Sequence, residues 1–180
     1  MAKQFHNIDN HLQGFIEDQH MFFVATAAPD GLVNVSPKGM DSLRVLGPNR
    51  ILWRNHTGSG NETAGHLKQR NRMTLMWCSF TTKPMILRAY GSAETVHPRD
   101  HAWKTLNGHF PPSDGARQLY EMTIDMMQTS CGFAVPFMDH IGDRDSLHQW
   151  TADRGAEGVR NFWAERNTTT LDGAPTGITE

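Results

Sequence analysis

Cysteine is scarce, with only Cys78 and Cys131 in 180 residues. Two thiols cannot build the disulfide framework that small exported domains use in place of a core, so both are expected reduced and the setting cytoplasmic. Long apolar runs are lacking too. A bilayer crossing takes about 20 apolar residues, no stretch approaches that, and no membrane partner is expected. Met1-Ala2-Lys3-Gln4-Phe5-His6 has no apolar signal core, so export is not expected. Nor is there an excess of positive charge: 17 Lys and Arg stand against 19 Asp and Glu. The richest basic stretch, Lys68 to Arg72, falls at a helix end, where cations meet the carbonyl end of the dipole. Nucleic acid is therefore not an expected partner, because phosphate-backbone binding shows as a basic face. His97 and His101 are four apart, but neither H-E-x-x-H nor C-x-x-C occurs, and no metal site is expected.

What is present suits one domain over 1–180, with 38% hydrophobic residues to form a core. Ile8 to Asp18 has apolar residues near helical spacing. Met21 to Ala27 and Leu32 to Pro37 read as strands around the Pro29-Asp30-Gly31 turn, with the proline expected at the strand end. Leu43 to Leu46 and Ile51 to Arg54 are short strands around Gly47-Pro48-Asn49. A helix follows over Asn61 to Arg70, with Ser59 and Glu62 spaced as a capping box and Asn61 as the alternative cap. Met73 to Phe80 and Met85 to Ala93 are strands, Pro98 to Leu106 a helix, and Gly108 to Gly115 a loop. Leu119 to Thr129 is a long strand with Tyr120, Met122, Ile124 and Met126 on one face. A helix over Ser146 to Glu165 closes the pattern, and the tail after Asn167 reads as irregular. About six short strands, with helices between and after them, predict a mostly β fold with added helices (α+β), a small closed or partly closed barrel.

Four segments carry chemistry-bearing residues. At Asn34-Val35-Ser36-Pro37-Lys38-Gly39-Met40 a strand exit presents a hydroxyl, a lysine and a glycine together, which suits an anion or a ring carbonyl; a solvated strand end is the alternative. Trp53-Arg54-Asn55-His56-Thr57-Gly58-Ser59-Gly60-Asn61-Glu62-Thr63 runs from a strand through small residues into a helix N-terminus. Its free N–H groups suit a phosphate, or are simply capped. In Met85 to Ala93, Arg88 interrupts an apolar strand and needs a partner, either a phosphate or a carboxylate such as Asp125. Gln128-Thr129-Ser130-Cys131-Gly132 crowds small polar groups at a strand end. Cys131 has no base at a defined spacing, so a buried structural thiol is expected rather than a nucleophile.

Taken in order, Ala25-Thr26-Ala27 with Asp30-Gly31, Val33 to Gly39, Leu52 to Asn55, Gly60 to Ala64, Arg72 to Met76 and Leu87 to Ala93 resemble the FMN-binding split-barrel proteins related to pyridoxamine 5′-phosphate oxidase. The resemblance covers about residues 20–95. Gln128 to Gly132 and Asp172 to Gly177 are similar to a little-characterised branch of that group. The resemblance implies a homodimer with FMN in a cleft between subunits. Ser36, Pro37, Lys38 and Gly39 would meet the flavin ring and the phosphate side, and Trp53, Arg54 and Asn55 would flank the isoalloxazine. Asn61 and Thr63 would fall at the phosphate, with Arg88, Gln128 and Ser130 as further cofactor contacts. Oxidases proper carry a basic pair at the helix start, where this chain has Asn61-Glu62-Thr63. They also end in an arginine-bearing segment, with no counterpart after Trp150.

The implied function is an FMN-dependent oxidoreductase acting on an unidentified small molecule, by hydride transfer at the flavin, rather than a vitamin B6 oxidase. The alternatives are a non-catalytic flavin carrier or sensor and a haem-binding split barrel with a histidine ligand.

Overall fold

A computed structural model describes residues 2–179. Eight strands and four helices follow one another as β1 (Lys3–Phe5), α1 (Asn10–Glu17), β2 (Phe22–Ala27), β3 (Val33–Lys38), β4 (Leu43–Gly47), β5 (Arg50–His56), α2 (Glu62–Gln69), β6 (Met73–Cys78), β7 (Met85–Val96), α3 (Trp103–Asn107), β8 (Ala116–Cys131) and α4 (Ser146–Arg166). Every named strand pairing is antiparallel, in the order β3-β2-β6-β7-β8-β5-β4, with β1 added to β8. β8 organises the sheet because its 16 residues reach three neighbours. It pairs with β7 along one edge and with β5 and then β1 along the other.

The main core lies where α1 and α2 cover the sheet, around Leu12, Ile16, Trp53, Leu75, Trp77, Leu87, Tyr120 and Met122. A smaller cluster of Leu52, Val96, Leu106, Phe110 and Leu119 fills the opposite side of β5 and β8. Asp9 caps α1 by accepting the Leu12 amide at 2.8 Å, which places Leu12 and Ile16 on the inner face.

The structure departs from the sequence expectations at several points. Pro37 is the penultimate residue of β3 rather than its last, opposite Phe23; β3 is an edge strand, where proline is tolerated. β1, a three-residue strand with no alternation to read, adds to the expected strands. The expected helix from Pro98 narrows to α3, because the Asp100 carboxylate takes the His97 amide and sets up a turn there instead. Tyr120, Met122 and Ile124 are buried together, but a bulge opposite Tyr90 and Gly91 flips the alternation, so Met127 and not Met126 completes the buried row. Cys131 is exposed, and Cys78 is the buried thiol. No helix among the described residues is long and apolar enough to cross a membrane.

The segment after Asn167 is irregular, as expected, but it packs closely on the domain. Asn167, Thr170 and Thr176 are buried, Thr169 bridges Pro175, and the Arg99 guanidinium holds the carbonyls of Gly177 and Ile178 at 2.7 and 3.0 Å. Polar side chains make this strap, so apolar periodicity could not reveal it.

Candidate functional site: a cationic cavity at the strand ends

β3 alternates Val33 and Val35 outward with Asn34, Ser36 and Lys38 half-buried. Beyond Lys38 the chain turns through Met40 and Asp41 at φ 63° and 50°, left-handed values that residues with a side chain seldom hold. Ser42 pins this turn by donating to the Gly39 carbonyl at 2.6 Å, and two hydrogen bonds of 2.6 and 2.8 Å lock the Asp41 carboxylate on Arg44. β5 then supplies Trp53, Arg54, Asn55 and His56. Trp53 stacks on Tyr120, its register partner on β8, at 4.7 Å, and the Lys38 ammonium lies 5.4 Å from the ring centre on Trp53.

Thr57 to Gly60 form a loop that leads into α2. The expected capping box is not formed, and Asn61, although at the N-cap position, makes no side-chain cap bond. The Glu62 carboxylate instead accepts the Leu171 amide from the strap, at 3.2 Å to each oxygen. Arg117, buried at the start of β8, fastens the loop: its Nη1 donates to the carbonyls of Gly58 and Gly60 at 3.3 and 2.9 Å and to Asn167 Oδ1 at 2.7 Å.

These elements enclose an open cavity of about 580 Å³, within the size range of cofactor sites. Nine of the sequence-predicted residues line it: Ser36, Pro37, Lys38, Gly39, Trp53, Arg54, Asn55, Asn61 and Thr63. Arg88, Gln128 and Ser130 form a separate group. Arg88 faces Gln128 across β7 and β8 and donates to Ser130 Oγ at 3.0 Å, so its partner within the chain is a hydroxyl and not Asp125.

Cations outnumber carboxylates on the lining, where Glu62 is the acidic residue and its carboxylate is engaged by the Leu171 amide. Burial, and then the Arg117 charge, bring Lys38 down to about 8. Burial lowers Arg117 to about 10 and lowers Arg54, whose guanidinium packs on Phe110. Burial followed by the charges of Arg54, His148 and Lys38 holds His56 at about 4, so its imidazole is neutral near pH 7. Five buried polar atoms on the cavity-lining residues have no partner: Trp53 Nε1, Arg54 Nε, His56 Nε2, Asn61 Oδ1 and Arg117 Nε. Buried polar groups are rarely left unpaired without a reason. Three are fixed donors, so the residues fit an anionic ligand rich in acceptors, with Asn61 Oδ1 available to a hydroxyl.

Sequence reasoning misses Arg117, Leu147 and Leu171, which also line the cavity, and the part played by His56. Arg117 carries the signal that singles out Arg88, a cation against a buried strand, but it lies two residues before the strand start read from the sequence. Leu147 and Leu171 reach the cavity only through the folding of α4 and the strap.

Residues 8–131 match the family model described as pyridoxamine 5′-phosphate oxidase. The chain is 30% identical to the pyridoxamine 5′-phosphate oxidase family protein ustO of Aspergillus flavus, over 95% of this chain and 76% of the relative. Among solved structures, a protein of Lactobacillus delbrueckii provisionally named a pyridoxamine 5′-phosphate oxidase superposes with a TM-score of 0.55 at 19% identity, covering 68% of this chain and 94% of that one. HupZ from Group A Streptococcus gives 0.51 at 17% identity, covering 66% and 91%. These likenesses show the fold to be a split β-barrel with added helices.

Proposed function

From the premise that this chain belongs to the pyridoxamine 5′-phosphate oxidase family, we propose that it binds FMN in the Lys38–Arg117 cavity and acts as an oxidoreductase on a small molecule. The observation that carries this reading is the gathering of Lys38, Arg54 and Arg117 around unpaired donors, beside a helix N-terminus that no side chain caps. A helix N-terminus and buried cations suit a phosphate ester. Asn61, Thr63 and the first turn of α2 would hold the phosphate end, with Lys38 and Arg54 as counter-charges. Ser36, Pro37 and Gly39 would place backbone against the ring. Trp53 Nε1 and Arg117 Nε would donate to acceptors that water otherwise serves. A bound flavin supplies hydride-transfer chemistry of its own, and the chain positions it and sets its electrostatic surroundings. His56, neutral and without a partner at Nε2, is a candidate to hold or move a proton at the cavity wall.

The same reading includes a homodimer in which Arg88, Gln128 and Ser130 of a second copy complete the cavity. Exposed apolar side chains support it: Val33 and Val35 on the edge strand, and Phe133, Phe137, Met138 and Ile141 on the segment joining β8 to α4.

The absorption spectrum of the purified protein tests the cofactor. Flavin bands, together with FMN identified by mass spectrometry, are expected. A Soret band would move the assignment to haem, and a colourless protein that takes up no added FMN would remove the flavin reading. Bound flavin that neither NADH nor NADPH reduces, and that no acceptor reoxidises, would leave a carrier.

A further inference from the structure

A second cavity of about 380 Å³ adjoins the first and differs from it in chemistry. Leu147, Trp150 and Phe162 of α4 form one side, and the loop at Thr57, Gly58 and Ser59 forms the other. The Thr57 hydroxyl is engaged, donating to the Gly115 carbonyl at 3.0 Å and accepting the Trp163 indole N–H at 2.9 Å. The aromatic wall exists because α4 is broken. Gly155 sits at φ 65° and ψ 170°, a conformation that any side chain would strain, and it folds the Leu147–Trp150 arm back toward Phe162. Trp150 and Phe162 meet edge to face at 5.1 Å, and the Arg154 guanidinium covers Trp150 at 4.1 Å. Thr57, Gly58, Ser59 and Leu147 border both cavities, so the apolar space lies immediately beside the cationic one.

We propose that this second cavity is the substrate subsite, and that it takes an aromatic ring or a branched alkyl group of a small molecule whose reacting end reaches into the cationic cavity. The inference rests on the flavin reading for the identity of the inner occupant. Size agrees, since an apolar cavity of roughly 150 Å³ already holds benzene. Trp150 and Phe162 are half-buried, and they gain apolar contact when a ring enters between them and the loop. The inner cavity carries Lys38, Arg54, Arg117 and unpaired donors, which favour polar acceptors, whereas the second cavity offers aromatic and aliphatic side chains to the apolar part of a substrate.

The test is ligand-observed fluorine NMR with 4-fluorobenzyl alcohol, a ring that carries no charge to pair with the cations, and with trifluoroethanol as the ringless control. The protein is titrated with and without FMN. The ring probe is expected to bind in both states and the control in neither. Trp150→Ala and Phe162→Ala are each expected to weaken the probe at least tenfold, and Trp150→Phe to restore it to within about threefold of the parent. Leu147→Gln serves if an alanine variant fails to fold by circular dichroism. Displacement of the probe by FMN would overturn the proposal, because the two must occupy different spaces. Equal binding to the parent and to both alanine variants, or to Leu147→Gln where it stands in for one of them, would overturn it as well, as would no binding to the parent. FMN binding is read separately by quenching of flavin fluorescence. A parent protein that takes no FMN but loses the ring probe on Trp150→Ala would overturn the flavin reading and uphold the aromatic subsite.

Discussion

The ammonium of Lys38 on β3 and the guanidinium of Arg117 on β8 face one cavity, and the second charge helps to hold the first at a pKa of about 8. Below that pH both are cations. An anion placed between them would draw the proton back onto Lys38, so anion affinity and Lys38 protonation are linked. Since the second phosphate pKa of a monoester is about 6, the ligand charge is constant above pH 7. FMN affinity is therefore expected to be level between pH 7 and 8 and then to fall, approaching about tenfold per pH unit as Lys38 deprotonates. Lys38→Ala is expected to bind FMN more weakly and without that fall. Fluorescence titrations from pH 7 to 9.5 check both statements. For the ligand-free protein the sign reverses: the unfolded chain holds the Lys38 proton more tightly, so this group adds stability as pH rises from 8 toward 10.5.

His56 makes the opposite end of the pH range informative. Its folded pKa is lowered to about 4 from 6.5, chiefly by burial and then by Arg54. Between those values the unfolded chain takes up the proton and the folded chain does not, so stability falls as pH drops through 6.5 toward 4. The full effect amounts to about 3 kcal/mol. His56→Gln removes the titrating group, and its urea midpoint is expected to decline less than that of the parent between pH 6.5 and 4.5. Parallel declines in both proteins would place the acid sensitivity elsewhere.

Much of the sheet is legible in the sequence because its strands alternate and its turns carry Pro, Gly and Asn. The β2–β3 and β4–β5 hairpins follow from Pro29-Asp30-Gly31 and Gly47-Pro48-Asn49. The inner wall of the site follows as well, since Ser36 to Gly39 and Trp53 to Asn55 lie at strand ends where hydrophobic pattern gives way to polar groups. What stays hidden depends on long-range polar contacts. Glu62 is spaced for a capping box, yet its carboxylate meets Leu171, 109 residues away. Asn167 looks like the start of a solvated tail, yet it accepts from Arg117 and donates to the carbonyls of Gly58 and Ser59. No local periodicity encodes such pairs.

The strap over α2 gives a substitution whose sign runs against helix propensity. Gly65 lies inside α2, where alanine is ordinarily better by about 1 kcal/mol. A Cβ at Gly65 would come within 2.3 Å of Thr170 Cγ2, with the carbonyls of Ala174 and Pro175 at 3.6 and 3.7 Å behind it. Gly65→Ala is therefore expected to destabilise the protein and to loosen residues 167–178, read as faster proteolytic cleavage in that segment. Thr170→Ser removes the colliding methyl and keeps the hydroxyl that accepts the Ala174 amide at 3.0 Å. The double variant is expected to regain the stability and protease resistance lost by Gly65→Ala. A stabilised single variant would mean that the strap does not press on α2.

Arg88 provides the sharpest check on the proposed assembly, because within one chain it stands apart from the cavity and binds only the Ser130 hydroxyl among the contacts described for it. If a second copy brings Arg88 to the cofactor, Arg88→Ala lowers FMN affinity while leaving the cavity of its own chain intact. Mixed dimers make the relationship explicit. In a heterodimer of Arg88→Ala with Lys38→Ala, one composite site combines both substitutions and the other has neither, so about half of the sites bind with parental affinity. Were Arg88 to act on its own chain's cavity, each site would carry one lesion and none would bind normally. Flavin titration of tagged, separately purified heterodimers distinguishes the two, and light scattering supplies the mass. A monomer that binds FMN with full affinity would dispose of the dimer, and it would leave Arg88 and Ser130 as a surface pair with no part in the site.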